Sequence, residues 1–308
     1  MDELPEVLCG GTVAIGNFDG VHRGHQAVLA RALERLRPVV ALTFEPHPRT
    51  FFSGRPLFRL TSAGEKARVI AALGLDATVV VPFDASLAAL SAEAFMADVL
   101  AGRFGARAVV VGHDFSFGAK RRGDGAMLAR EGPALGFATH VVRAFADDGV
   151  VSSTRIRDHL AEGDLGRAAA LLGRRYAVTG EVVHGEKRGR QMGYPTANQG
   201  LAPANGLRHG IYAVRAMVDG TWHDGVASFG RRPTFDNGAP LLETFLFDWS
   251  GDLYGRTMRV ALERFLRPEL RFDGMDALMR QMDADSLDAR AALADAAPMS
   301  DVDRALNF

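Results

Sequence analysis

The chain has 308 residues, more than one typical core holds, so two domains are expected. Hydrophobic residues make up 47% and charged residues 24%, with a formal net charge of −1. That balance excludes a disordered or fibrous chain and supplies no global basic field for nucleic acid. The opening MDELPEVLCGG lacks the basic and apolar regions of a secretory leader, and no stretch reaches the roughly 20 apolar residues of a membrane span. The one cysteine, Cys9, excludes an internal disulfide framework and a Cys-based zinc cluster. A reducing, cytoplasmic location is expected.

The first half alternates apolar runs with helical patterns. Thr12–Gly16 is a short buried strand, and residues 24–36 place Val28, Leu29, Leu33 and Leu36 at helical spacing. Residues 38–44 read as a strand. Ser62 and Glu65 form a capping-box pattern before a helix. Strands follow at 77–81, 107–112 and 138–142, with helices at 91–101 and 126–135 between them, then two short helices at 153–161 and 164–172. This alternation predicts a parallel sheet covered on both faces, a Rossmann-like α/β domain over 1–173. From Tyr176 the rhythm changes. Strand-like runs at 176–183, 211–218, 221–230, 241–249 and 257–266, with Asp219-Gly220 as a hairpin signal, predict a small antiparallel β-barrel within a second domain, 174–308. After Pro268 the helical pattern returns, and the Ala/Asp-rich tail from Ala284 is a candidate for fraying.

Two glycine-rich loops carry the chemistry. The first, GNFDGVHRGH (Gly16 to His25), follows a strand and opens a helix. Free N–H groups and the dipole at a helix start attract phosphate, and glycines such as Gly16 and Gly24 let the backbone approach it. His22 and His25, three apart, can both face one phosphate chain, where imidazole N–H groups stabilise charge on a pentacoordinate phosphorus. The second, HGEKRGRQMGYPTAN (His184 to Asn198), combines Gly185 and Gly189 with Lys187, Arg188 and Arg190. Thr196 and Asn198 fall on one face if the segment is extended, and both are hard oxygen donors suited to Mg²⁺. Read alone, PTAN is better taken as an Asx/Thr turn. VSSTRIR (Val151–Arg157) read alone is a capped helix start with solvated arginines.

HxGH after the first strand resembles the nucleotidyltransferase signature. The longer GxFDGxHxGH, followed in order by TFEPHP (Thr43–Pro48), VGHDFSFG (Val111–Gly118), VSSTRIR and GxVxxGxxxGRxxGxPTAN, is similar to bacterial bifunctional riboflavin kinase/FAD synthetases. The resemblance implies two reactions. The barrel phosphorylates riboflavin with ATP to FMN, and the first domain transfers AMP from a second ATP to FMN, giving FAD and pyrophosphate. It implies that Gly16, Phe18, Asp19 and Gly24 belong to the first nucleotide site, that Ser153, Thr154 and Arg157 grip the ATP phosphates, and that the flavin lies by Asp114. In the second site it implies Thr196 and Asn198 as Mg–ATP ligands, Gly185 and Arg190 as loop contacts, and Glu243 as the catalytic carboxylate. Alternation puts Glu243, Phe245 and Phe247 on one strand face, where partial desolvation strengthens a base. Phe245 and the Ser228-Phe229-Gly230 run depart from the family's usual residues. Riboflavin, FMN, FAD and ATP are thus the expected partners, with no nucleic acid or membrane and the oligomeric state open. One rival is a single-activity adenylyltransferase for another phosphate acceptor, with the barrel as a binding module. Another is a non-catalytic flavin- or RNA-binding regulator.

Overall fold

A computed structural model describes residues 4–147, 149–185, 193–231 and 240–308. The chain divides into two compact units, Met1–Ser153 and Thr154–Phe308. In the first, β1 (Thr12–Ile15), β2 (Val39–Glu45), β3 (Ala77–Pro82), β4 (Ala108–Gly112) and a later strand, Ala138–Val142, form a five-stranded parallel sheet. Its order runs β3, β2, β1, β4 and then Ala138–Val142. Helix α1 (Arg23–Leu33) connects β1 to β2. Helices α2 (Pro48–Ser53) and α3 (Ala63–Ala72) lie between β2 and β3. Val13, Ile15, Val40, Leu42, Val109 and Val111 are buried, as expected of strands covered on both faces. Helix α1 ends at Leu33, and Leu36, which the spacing placed on its apolar face, is 58% exposed beyond it. The stretch expected as a plain helix from Ser91 begins with a Ser91 cap but is π-helical over Phe95–Arg103.

The sheet order fixes where a site belongs. The chain moves outward from β1 to β2 and β3, then returns to place β4 on the other side of β1. Loops leaving the carboxyl ends of β1 and β4 diverge there, and that switch point is where open α/β sheets bind ligands. The Gly16–His25 loop leaves β1 at this point.

The second unit is a closed six-stranded antiparallel barrel. Its strands are Ala177–Val183, Thr196–Gly200, Gly210–Val218, Thr221–Arg231, Pro240–Leu246 and Thr257–Arg267. Thr196–Gly200, expected to be extended only on condition, is a full barrel strand. Asp219 and Gly220 both take positive φ, 51° and 81°, and join two strands paired up to Val218 and Thr221. That backbone is the two-residue turn that matches strand twist. The helix Leu165–Leu172 turns Leu165, Ala168, Leu171 and Leu172 inward and packs on Thr257–Arg267, so it groups with the barrel although the sequence boundary follows it.

The tail does not fray in the way its composition suggested. Met275–Ala294 is helical and buries Ala289, Ala292 and Leu293 beside Ala213 and Phe247. A last helix, Asp301–Asn307, is capped by Ser300. Its Asp303 is fully buried and pairs with Arg175, which Glu263 also holds. Sequence-distant charge pairs of this kind leave no periodic signal. Among the described residues, no helix is long and apolar enough to cross a membrane.

Candidate functional site

The first loop is shaped by strained backbone. Phe18 (φ 47°) and Val21 (φ 41°) are left-handed without being glycine, and both are buried. Each such residue costs on the order of 1–3 kcal/mol and persists only where its surroundings hold it. The Phe18 ring packs under Gly16, where a Cβ would fall 2.9 Å from it, and meets His25 edge-on at 5.4 Å. His22 caps α1, its Nδ1 accepting from the His25 backbone N–H at 3.3 Å. With Nδ1 accepting, the proton of a neutral His22 ring sits on Nε2. The two imidazoles stack, with centroids 3.6 Å apart and planes 14° from parallel. Gly24 leaves the space beside them; a Cβ there would be 3.2 Å from the His22 ring and 3.7 Å from the Val151 carbonyl. The residue spacing thus does bring both histidines together at a helix start.

The start of the VSSTRIR segment, Val151 to Ser153, reaches the same loop. The Ser153 hydroxyl donates to the Asp19 carbonyl at 2.9 Å. Thr154 and Arg157 follow in the first turns of the helix Ser153–Glu162. The Asp19 carboxylate is not directed at an incoming anion. It is 1% exposed, and its Oδ1 accepts from the Leu60 and Thr61 backbone N–H groups at 3.0 and 3.2 Å, with Arg59 Nε at 3.5 Å. Asp114 stands apart from these, its side chain 84% exposed on the loop after β4. Phe117 is in the core, and Phe115 stacks on it at 5.6 Å.

In the barrel, register decides the arrangement. Glu243 lies opposite Asn198, and Phe245 opposite Thr196. Cross-strand partners share a face, and so do residues two apart, so Thr196, Asn198 and Glu243 project together. Ser228, paired with Glu243 on the other side, extends the row. The alternate residues Ala197, Gln199, Leu242, Thr244 and Leu246 fill the interior. Asn198 is 4% exposed, and its Oδ1 is buried with no hydrogen-bond partner among the described residues. Gly185 makes room for it: a Cβ at Gly185 would fall 2.1 Å from Asn198 Nδ2. Glu243 is half-buried, and the Phe245 ring contacts Phe247 at 5.9 Å and Tyr194 at 4.8 Å. The Tyr194 hydroxyl donates to Asp283 on the helix Met275–Ala294. Arg190, with Lys187, Arg188 and Gly189, lies outside the described residues.

A buried amide oxygen beside a hydroxyl and a carboxylate is a hard oxygen set, the type Mg²⁺ takes when it also holds phosphates. Among the described residues no group of three or more His, Cys, Asp or Glu is placed to hold a metal. The barrel oxygens therefore suit a cation whose remaining ligands come from a nucleotide and water.

Comparison with known proteins matches both halves. The family described as FAD synthetase matches residues 4–155, and the riboflavin kinase family matches residues 172–293. A bifunctional riboflavin kinase/FMN adenylyltransferase of Escherichia coli K12 is 41% identical over 297 residues, covering 94% of each chain. The protein of the same description from Listeria monocytogenes is 37% identical, covering 92% of each. This chain belongs to the bifunctional riboflavin kinase/FMN adenylyltransferase family. A solved structure described as a macrolide-efflux protein from Streptococcus pneumoniae is 30% identical, with a TM-score of 0.78 over 90% of this chain and 92% of its own.

Several residues of these sites carry no signal of their own in the sequence. Thr61 accepts from the Gly20 N–H at 3.1 Å, and Arg59 and Lys66 sit beneath the first loop. Lys66 lies in an ordinary amphipathic helix, where a lysine reads as solvated. Thr43 falls within the TFEPHP motif, but spacing alone does not connect it to the loop.

Proposed function

We infer that the chain performs both reactions of its family, the phosphorylation of riboflavin by ATP and the adenylylation of the FMN formed, with ATP as the nucleotide for each. The register that sets Glu243 opposite Asn198, with Thr196 on the same face, carries this reading. A barrel that served only as a binding module would have no use for a half-buried carboxylate beside an amide oxygen left unbonded among the described residues. The rival single-activity reading is therefore not favoured.

In the kinase reaction, Thr196 and Asn198 would hold Mg²⁺, which supplies charge neutralisation for the ATP phosphates. Glu243 accepts the proton of the ribityl 5′-hydroxyl as its oxygen attacks the γ-phosphorus, and ADP leaves. Gly185 lines the nucleotide, and the family resemblance assigns Arg190 to the same loop. In the adenylyl transfer, an FMN phosphate oxygen attacks the α-phosphorus, and pyrophosphate leaves. His22 and His25 donate to the oxygens on which charge develops. Ser153, with the backbone at Gly16 and Gly24, holds the triphosphate, and the family resemblance adds Thr154 and Arg157. Phe18 and Asp19 act from beneath, fixing the loop, and Asp114 borders the flavin. We assign adenylyl transfer to 1–173 and the kinase to 174–308. The site chemistry uses cytoplasmic metabolites, and we place the enzyme there.

The test is a product trace. With riboflavin, ATP and Mg²⁺ the wild-type chain forms FMN and then FAD. Glu243→Gln abolishes FMN formation but still makes FAD from supplied FMN, whereas His25→Ala accumulates FMN. Loss of both activities in either folded variant would overturn the two-site assignment.

A further inference from the structure

The floor under the first loop is a network of four charged side chains, with Asp19 and Lys66 buried and Glu45 and Arg59 partly exposed. Asp19 and Glu45 oppose Arg59 and Lys66. Arg59 forms a two-pronged bond to Glu45, at 2.7 and 2.6 Å, and lies 3.5 Å from Asp19. Lys66 is 1% exposed. Its Nζ donates to Glu45 Oε1 at 3.2 Å and to the Thr43 hydroxyl at 3.0 Å. The Thr43 hydroxyl in turn donates to the Asn17 carbonyl at 3.0 Å. One chain of bonds therefore runs from α3, through the end of β2, to the residue preceding Phe18.

Stability does not account for Lys66. Burying an ammonium costs several kcal/mol, and replacing a whole buried ion pair by apolar residues is often neutral or stabilising, so a buried pair is weak evidence for stability. Burial pushes the Lys66 ammonium below the ordinary lysine range, against the pull of Glu45. Glu45 would stay paired with Arg59 if Lys66 were lost. What only Lys66 does is orient the Thr43 hydroxyl. An ammonium has donors and no acceptor, so Thr43 must accept from it and has its own proton directed at Asn17. Asn17 adjoins the strained Phe18, and two further clamps, Asp19 with Leu60 and Thr61, and Gly20 with Thr61, hold the rest of the turn.

We propose that Lys66 is a positioning residue for adenylyl transfer, setting the His22–His25 loop through the Thr43 hydroxyl and the Asn17 carbonyl. The proposal rests on the adenylyltransferase reading above. A loop displaced by a fraction of an ångström misaligns attacking oxygen and phosphorus, a loss of up to about 10²-fold in rate.

The experiment measures both activities on the same full-length variants. Lys66→Met and Thr43→Val should each lower kcat for FAD formation from FMN at least tenfold, with KM for FMN and riboflavin kinase activity unchanged. Thr43→Ser, which restores the hydroxyl, should recover most of the rate. The double variant should be no slower than the slower single one, since both cut one chain. Wild-type-like kcat in folded Lys66→Met, or a Thr43→Ser as slow as Thr43→Val, overturns the proposal. If Lys66→Met does not fold, the Thr43 pair decides alone. A wild-type chain that makes FMN but no FAD would instead defeat the adenylyltransferase reading.

Discussion

Gly185 shows how much one absent methyl group decides. Its backbone lies against the Asn198 amide, and an added Cβ would come within 2.1 Å of Nδ2. No real contact is that short, so the amide must turn or move, and the buried Oδ1 moves with it. Gly185→Ala should therefore cut FMN formation about tenfold or more while FAD formation from supplied FMN holds; parallel assays of the two rates check this. Glu45 gives a prediction in pH. Burial pushes its carboxyl up, but the Arg59 bonds and the Lys66 charge outweigh that and leave it below the ordinary glutamate range. A carboxyl depressed on folding stabilises above its unfolded pKa, and that contribution is lost as pH falls through the folded value. Thermal denaturation between about pH 6 and pH 3, across the ordinary glutamate pKa, should show a shallower loss of stability for Glu45→Gln than for wild type. At this scale the legible residues were those whose chemistry is local. The Ser62 cap follows from spacing alone, its hydroxyl accepting from Glu65 N–H at 3.2 Å. Lys66 was illegible because its partners Thr43 and Glu45 lie on a strand that only the fold brings beneath α3.

Elements were read best where periodicity and turn chemistry agreed. The parallel strands, the first helix after HxGH and the Asp219-Gly220 hairpin all satisfy both tests. Thr196–Gly200 was harder, because TANQG pairs a polar functional row, Thr196 and Asn198, with an interior Gln199 whose amide donates at 2.8 Å to the Gly180 and Met258 carbonyls. Its alternation is polar on both faces, so hydropathy has nothing to detect. The last helix was missed for a related reason: Asp303 and Asn307 are buried polar residues, which composition scores as solvated. Asp303 accepts from the Arg175, Met299 and Asn307 nitrogens and pairs with the Arg175 guanidinium. Asp303→Ala would leave these donors and part of a buried charge uncompensated. The expected cost is about 3–5 kcal/mol, read as a lowered urea midpoint with an unchanged m-value.

For the whole molecule, what matters is that the two candidate sets do not interleave. One runs from Gly16 to Arg157 and the other from Gly185 to Glu243. The change of rhythm at Tyr176 made the two-domain architecture legible, because helical and strand periods cannot share a segment. The position of the helices at 153–172 was not, since an amphipathic helix carries no mark of which core it covers. On the proposed assignment each reaction is complete on its own residues, with FMN as the product of one and substrate of the other. Neither Glu243→Gln nor His25→Ala alone should convert riboflavin to FAD. Mixed in one tube with ATP and Mg²⁺, they should do so, the first supplying an intact adenylylation site and the second supplying FMN. The lag before FAD appears should shorten as the His25→Ala share rises, because free FMN must first accumulate to the level the other variant binds. A mixture that makes FMN and no FAD would mean that the adenylylation site works only beside an intact kinase site on the same chain.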